Sequence, residues 1–403
     1  MLTTRVELDR IATGGSAIGN VADGRIVFVS GGLPGETVDV EITAEKKRHL
    51  EGRVVNVVAS VTGRRQAPCC HIDDGCGGCD WQFADQLTQS QLRVRIVEDC
   101  LRRIGGLSTV SVSHGVSLVD EGYRTTMRSA IVNGKAGHRL AESHDAVPIP
   151  NCLVAHEMVA ELLDQGRFAN ADEVTIRVGA NTGERLVVVS PTLDGVGEII
   201  LPPDVVIVGA DEARQGAESF YHEEINGIRY RISALSFFQC RPDGAAAMVD
   251  TVLAMVGDGD GLVVDAYSGV GLFAAAIGQG RDGGRGRPVM AVESNRWAAA
   301  DAKVNLAGLD DCAVVRVPVE RWRPEPCEVV VADPARSGLG RRAVERLTAT
   351  GAETVVLVSC DPGSLGRDAG LLVESGYELD RVEVLDIFGQ TSHIETISRF
   401  VKH

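Results

Sequence analysis

No stretch of the chain approaches the roughly 18 uninterrupted apolar residues that a membrane-spanning helix needs, which excludes a helical membrane protein. Nor does Met1-Leu2-Thr3-Thr4-Arg5-Val6-Glu7 offer the basic and then apolar leader of a secreted chain; it runs straight into strand-like sequence. A soluble, cytoplasmic protein is therefore expected. Positive charge is scarce, with a formal net charge of -16 over 403 residues. That argues against indiscriminate affinity for nucleic acid by the molecule as a whole. A disulfide scaffold is also excluded, because a reducing cytosol keeps cysteines as thiols. The ten cysteines are unevenly placed, which points to metal binding or catalysis for some of them. No internal repeat or long low-complexity tract is present.

What remains is an ordinary globular composition, 44% hydrophobic and 24% charged. At roughly 150 residues per domain the length suggests two or three domains. The charge is unevenly spread: residues 1–65 carry nine Lys and Arg against eight Asp and Glu. Any polyanionic partner needs such local basic tracks. Residues 4–58 alternate as short strands, Arg5–Leu8, Arg25–Val29, Glu36–Ile42 and Arg53–Val58, divided by glycine turns, as in a small closed β-barrel. The basic run Lys46-Lys47-Arg48-His49 falls in the turn before the last strand. A solvated hairpin tip and a single-strand nucleic-acid platform are equally good readings of it.

A cysteine-rich loop at 68–81 follows, and then a helical pattern at 86–104, with Leu87, Val94, Val97, Leu101 and Ile104 at helical spacing. Arg93, Arg95, Arg102 and Arg103 share this helix and read as a solvated face. Residues 123–235 are mixed and mostly β, with a hairpin between Glu173–Val178 and Arg185–Pro191. From Leu235 the pattern changes. A helix at 243–256 and strands at 262–265, 289–293, 328–333, 354–360 and 381–387, separated by helical stretches, predict a parallel α/β sheet. The Gly- and Arg-rich stretch 278–288 reads as a loop. Three domains are expected: a barrel at 1–60, a mixed α+β central domain at 61–235, and an α/β domain at 236–403.

The chemistry-bearing residues gather in the last of these. Asp265-Ala266-Tyr267-Ser268-Gly269-Val270-Gly271 closes a strand and opens a helix, where glycines let a ligand approach the backbone. Gly269-x-Gly271-x-x-Ala274 also fits a dinucleotide fingerprint. S-adenosylmethionine is favoured over a nicotinamide. Asp265 closes the strand four residues before the first glycine, Glu293 closes the next strand, and Asp333-Pro334-Ala335-Arg336 closes a third. No residue set for hydride transfer accompanies them. Cys360 ends the strand 354–359 at the same carboxyl edge, and His393-Ile394-Glu395 puts a histidine and a carboxylate on one side of a strand.

A buried cysteine after an apolar run is usually inert packing, as expected for Cys240 and Cys312. Cys360 differs by sharing an edge with the cofactor strands. Pyrimidine C5 is a poor nucleophile towards a methylsulfonium. Thiolate addition at C6 makes C5 nucleophilic, and a base then removes the C5 proton so that the thiolate can leave. Such a site is expected to favour the thiolate.

Taken together, Ser236-Phe237-Phe238-Gln239, Asp265–Gly271, Asp333–Arg336, Val358-Ser359-Cys360-Asp361-Pro362 with Arg367-Asp368, and His393–Glu395 resemble the RNA 5-methyluridine methyltransferases. The resemblance extends over nearly the whole chain. It implies a Rossmann-like class I methyltransferase domain, S-adenosyl-L-methionine held by Gln239, Tyr267, Glu293 and Asp333, Cys360 as nucleophile, Glu395 as base, and Phe237 beside the target uracil. The first sixty residues resemble the TRAM module, an OB-like RNA-binding barrel. Asp361, Leu272 and Gly389 stand where many members have Asn, Asn and Pro.

Cys70, Cys76 and Cys79 form C-x5-C-x2-C, and Cys152 supplies a distant fourth thiol. On spacing alone, four thiolates suit a structural zinc or an iron–sulfur cluster. The resemblance implies a [4Fe-4S] cluster with a structural role, with Cys70 as first ligand and Cys69 as the alternative. Members with both barrel and cluster imply 23S ribosomal RNA as substrate, with transfer RNA as the alternative. No protein partner is implied. A cytosine-C5 enzyme lacks its expected Pro-Cys motif here, an amino-group methyltransferase has no use for Cys360 or Glu395, and a non-catalytic RNA-binding scaffold has no use for either or for the cofactor positions.

Overall fold

Alternation in the first sixty residues produces five strands, β1 (Thr3–Ile11), β2 (Ala17–Asn20), β3 (Ile26–Ser30), β4 (Thr37–Glu45) and β5 (His49–Ala59). They close into a barrel in the order β1-β2-β3-β5-β4. Val6, Leu8, Val27, Val29, Val38 and Val40 fill its interior. β2 is short and was not legible as a strand. Gly19 pairs with Leu8 there, and a Cβ at Gly19 would lie 2.4 Å from the Glu7 carbonyl oxygen. The computed structural model describes residues 3–141, 143–280 and 286–402, so the core of the expected 278–288 loop lies outside the described residues.

Helix α1 (Gln86–Arg103) begins at Asp85, whose side chain accepts from the Thr88 N–H. Its buried face is Leu92, Arg93, Ile96, Val97, Cys100 and Leu101, whereas Leu87 and Ile104 are 67% and 53% exposed. The expected apolar stripe is therefore corrected: the helix is rotated so that Arg93 points inward. β6 (Val112–Ser117) follows. A six-stranded sheet comes next, from β7 (Thr126–Val132), β8 (Lys135–Arg139), β9 (Ala146–Pro148), β10 (Glu173–Val178), β11 (Arg185–Ser190) and β12 (Val205–Gly209), in the order β12-β11-β10-β7-β8-β9. Helix α2 (Glu157–Gln165) packs on it, and β10 and β11 form the expected hairpin. A short helix, α3 (Ala210–Gln215), and the hairpin β13 (Phe220–Ile225) with β14 (Ile228–Ser233) complete this region.

The C-terminal part alternates α4 (Pro242–Val256), β15 (Val263–Ala266), α5 (Leu272–Gln279), β16 (Val289–Glu293), α6 (Arg296–Asn305), β17 (Cys312–Arg316), β18 (Val329–Ala332), α7 (Gly340–Thr348), β19 (Thr354–Ser359), α8 (Pro362–Glu374), β20 (Tyr377–Asp386) and β21 (Glu395–Lys402). Its eight-stranded sheet runs β17-β16-β15-β18-β19-β21-β20-β6. Neighbours from β17 to β19 are parallel, and β21 is antiparallel to both β19 and β20. Both faces are covered, so the strands read as continuous apolar runs. Val264, Val330, Val355 and Leu357 enter one core, while Val263, Val331, Val356 and Val358 enter the other.

The last strand in that order comes from far upstream: β6 pairs parallel with β20. Helix α1 packs against α8, and the β13–β14 hairpin buries Tyr221, Tyr230 and Ile232 in the core shared with α4 and α5. The 61–235 region is thus not one body. Its first helix and strand and its last hairpin complete the C-terminal domain; the six-stranded sheet between them has a separate core around Val174, Ile176 and Phe168 on one face, while Leu186, Val188 and Val208 join the C-terminal core.

Candidate active site

Parallel strands end together, so the residues just beyond β15, β16, β18 and β19 meet at one carboxyl edge. A large cavity opens there. It is lined by Tyr267, Ser268 and Gly269 after β15, Glu293 at the end of β16, Asp333 to Arg336 after β18, and Cys360 after β19. Gln239 and Phe237 reach it from the segment before α4, and His393, Ile394 and Glu395 from the start of β21. All the residues singled out for cofactor and catalysis in the sequence therefore share one cavity. One detail differs: β21 begins at Glu395, so His393 lies in the preceding loop and not beside Glu395 on a strand.

The cofactor side is built from backbone. Gly269 and Gly271 have φ of +55° and +89°, the left-handed region that glycine adopts without strain. Tyr267 also sits there, at +60°, and its hydroxyl donates to Glu320 at 2.9 Å. Glu293 accepts from the Gly269 N–H at 2.9 Å and from the Asn295 N–H at 2.6 Å. Asp265 accepts from the Ala274 N–H, which leaves its other oxygen and the Ser268 hydroxyl buried without a partner. Unpaired buried polar atoms beside a cavity are what a polar ligand would complete.

The other side of the cavity is acidic. Glu395 is buried, and burial, helped by Asp333, raises its pKa well above the ordinary carboxylate value. Burial likewise pushes Asp333 up to about 7 and Asp265 up to about 8. Cys360 is pushed up to about 11 by burial and by the negative fields of Glu395 and Asp333, which Arg336 only partly opposes. In the free protein burial and these fields therefore work against the thiolate that the sequence led us to expect. Asp361 is occupied at the start of α8, where it accepts from the Ser364 N–H at 2.7 Å.

Sequence reading missed several wall residues, among them Phe273, Asn295, Phe388 and Thr391. Tyr123 and Arg124 arrive from the region before β7, and Cys240, expected as inert packing, lines the same cavity. Phe237 is 70% exposed at the site, unusual for a phenylalanine and suited to stacking. At Gly389 a Cβ would lie 2.4 Å from that of Asp120, which leaves no room for a larger residue.

A second, small cavity is lined by Cys69, Cys76, Cys79 and Cys152, with Arg124 in both cavity walls. Cys70 is not among its lining residues and is exposed. The choice of Cys70 is corrected here: the chain turns into a short 3-10 helix at Cys70–Ile72, which leaves Cys69 facing the cavity. Burial raises the pKa of Cys76 and Cys152, and that of Cys79 to about 12, and the neighbouring thiols add to each shift. Among the described residues no three His, Cys, Asp or Glu side chains converge as the ligands of one metal ion. No helix among them is long and apolar enough to cross a membrane.

The TRAM domain family matches residues 3–55. An RNA methyltransferase of Streptomyces avermitilis is 30% identical over 98% of this chain and 96% of its own length. One from Streptomyces coelicolor is 32% identical over 98% of this chain and 91% of its own. The fold is similar to that of the Pyrococcus abyssi tRNA (uracil-54, C5)-methyltransferase, solved in complex with S-adenosyl-L-homocysteine. The TM-score is 0.76 at 22% identity, with 99% of each chain covered.

Proposed function

Because this chain belongs to the RNA methyltransferase family of its Streptomyces relatives, we propose that it methylates C5 of a uridine in RNA with S-adenosyl-L-methionine as donor. The observation that carries the reading is the meeting of Cys360 and Glu395 in one cavity with Gln239, Tyr267, Glu293 and Asp333. An amino-group methyltransferase needs neither a thiol nor a second buried carboxyl at that point.

The donor supplies an electrophilic methyl group and a positive charge. Gln239, Tyr267, Glu293 and Asp333 hold it, and the unpaired Asp265 and Ser268 oxygens offer further polar contacts nearby. With the donor's positive charge in this acidic cavity Cys360 would ionise at lower cost; its thiol is otherwise held protonated by burial first and then by Glu395 and Asp333. The uridine leaves its stack at a cost of a few kcal/mol, with Phe237 at hand to stack on it. Cys360 Sγ, once ionised, would add to C6 while the C5–C6 π pair moves towards O4; C5 would then take the methyl group as its bond to the donor sulfur breaks and S-adenosyl-L-homocysteine leaves, and Glu395 would remove the C5 proton. The electron pair of that C–H bond forms the C5–C6 double bond and expels the thiolate.

Cys69, Cys76, Cys79 and Cys152 are proposed to hold a [4Fe-4S] cluster that crosslinks the fold. A tetrahedral zinc gathers its sulfurs at about 2.3 Å from one point, whereas a cluster takes one thiolate at each iron and suits thiols spread around a cavity. For the substrate, 23S ribosomal RNA is the reading that the barrel and thiol set favour. The Pyrococcus abyssi protein of like fold is by name a transfer-RNA enzyme, so both RNAs belong in the experiment. Glu395→Gln, incubated with each RNA and methyl-labelled donor, is expected to accumulate a labelled protein–RNA adduct on a denaturing gel with 23S fragments. Cys360→Ala should give neither adduct nor product while still binding donor. Full turnover by Cys360→Ala would overturn the mechanism, and an adduct with transfer RNA alone would overturn the ribosomal assignment.

A further inference from the structure

The segment that brings Cys79 to the thiol cavity also holds the loop that leads into Glu395. Asp80 accepts from the Ser392 N–H at 2.7 Å and from the Ser392 hydroxyl at 2.5 Å. The Trp81 N–H donates to the Gln390 carbonyl at 3.0 Å. From the other side Arg93, 1% exposed, pairs with Asp386 at 3.0 Å and donates to the carbonyls of Phe388, Thr391 and His393. Gln390 sits at φ +68°, strained for a residue with a side chain, so its neighbours must hold it there. Only His393 and Ile394 separate Ser392 from Glu395, and both line the reaction cavity.

We propose that Asp80 is a positioning residue for Glu395, and that Cys79-Asp80-Trp81 makes the placement of that carboxylate depend on what fills the thiol cavity. The inference rests on the base role proposed above. Consecutive Cα atoms are 3.8 Å apart, so Asp80 cannot keep its place if Cys79 shifts. Its two hydrogen bonds to Ser392 are charge-assisted, and thus among the stronger ties the loop has. Arg93 holds the loop at Phe388, Thr391 and His393, and Asp80 holds it at Ser392 between the last two. An exposed aspartate is also a mild site to change, whereas loss of Arg93 would remove the buried guanidinium from Asp386, leaving it only His114 and the Ser90 hydroxyl.

The test uses full-length Asp80→Ala and Asp80→Asn. Slow proton removal predicts that Asp80→Ala accumulates the methylated RNA adduct that wild type clears, with kcat lowered about tenfold or more and KM for RNA and donor within about twofold. Asp80→Asn, which still accepts a hydrogen bond, should recover part of the loss. Amide exchange over 387–395 should quicken in Asp80→Ala, and equally in wild type after anaerobic chelation of its metal, while exchange in β1 stays unchanged. Wild-type turnover and exchange in Asp80→Ala would overturn the proposal, as would chelation that leaves the loop unaltered or loosens β1 as much. If Glu395→Gln traps no adduct, the base assignment fails; if it does and Asp80→Ala does not, only the positioning role fails.

Discussion

At Cys360 burial and charge act in the same direction. The thiol lines the cavity with Glu395 and Asp333, is half-buried, and is pushed up to about 11. In the absence of RNA and donor the thiolate fraction therefore grows about tenfold per pH unit up to that value, and so does reactivity. Iodoacetamide labelling of Cys360, read by peptide mass spectrometry, should be slow near pH 7 and rise about tenfold per unit towards pH 10. A labelling rate already on its plateau near pH 7 would show a thiolate-stabilising site instead. The doubled cysteine yields a second residue-scale prediction. Cys69 lines the thiol cavity and Cys70 is exposed, so Cys69→Ser should lose the proposed cluster and unfold more readily. Cys70→Ser should keep it, with iron and zinc content of anaerobically purified protein as the measurement. The opposite result would return the ligand role to Cys70. From sequence the two could not be separated, because spacing counts residues and does not see the turn at Cys70–Ile72 that faces them differently.

At the scale of elements, the parallel strands were legible because burial on both faces writes them as unbroken apolar runs, as in Thr354–Ser359. The carboxyl-edge rule then placed Asp265, Glu293, Asp333 and Cys360 together without a structure. β17 was overlooked; its residues alternate between half-buried and exposed at the sheet edge. The face of α1 was misread for a different reason. Hydropathy assigns arginine to solvent, yet Arg93 is satisfied by Asp386, Gln89 and three carbonyls that lie some 300 residues away in sequence. Periodicity in a single helix carries no trace of such partners. Arg124 and Tyr123 escaped notice likewise, since nothing local marks a residue between two strands as the wall of a distant cavity.

For the whole molecule the governing fact is charge. A chain of net charge -16 must meet RNA through local basic tracks, and the β4–β5 turn presents one. Lys46, Lys47 and Arg48 are exposed there, with only Lys46 near an acidic partner, Glu51 at 3.6 Å. Reversing all three charges should weaken RNA binding and flatten its dependence on salt, each lost phosphate contact reducing the slope by about 0.7. Filter binding at several salt concentrations reads both. An unchanged slope would place the RNA path elsewhere.

The eighth strand of the catalytic sheet has a consequence in time. Ser113 on β6 bonds to the Val382 carbonyl on β20, 269 residues downstream. At a synthesis rate of about 5–20 residues per second, β6 leaves the ribosome roughly 15–50 s before its partner exists. The strands of the barrel and of the six-stranded sheet can pair meanwhile, although part of the apolar surface of each is covered only by the later chain. The α/β domain cannot be completed, because β6 and helix α1, which holds the loop before β21, must wait for strands made last. Its sheet is finished only when β20 and β21 emerge, so until then the chain carries an open strand edge and the cavity lacks the wall that Glu395 supplies.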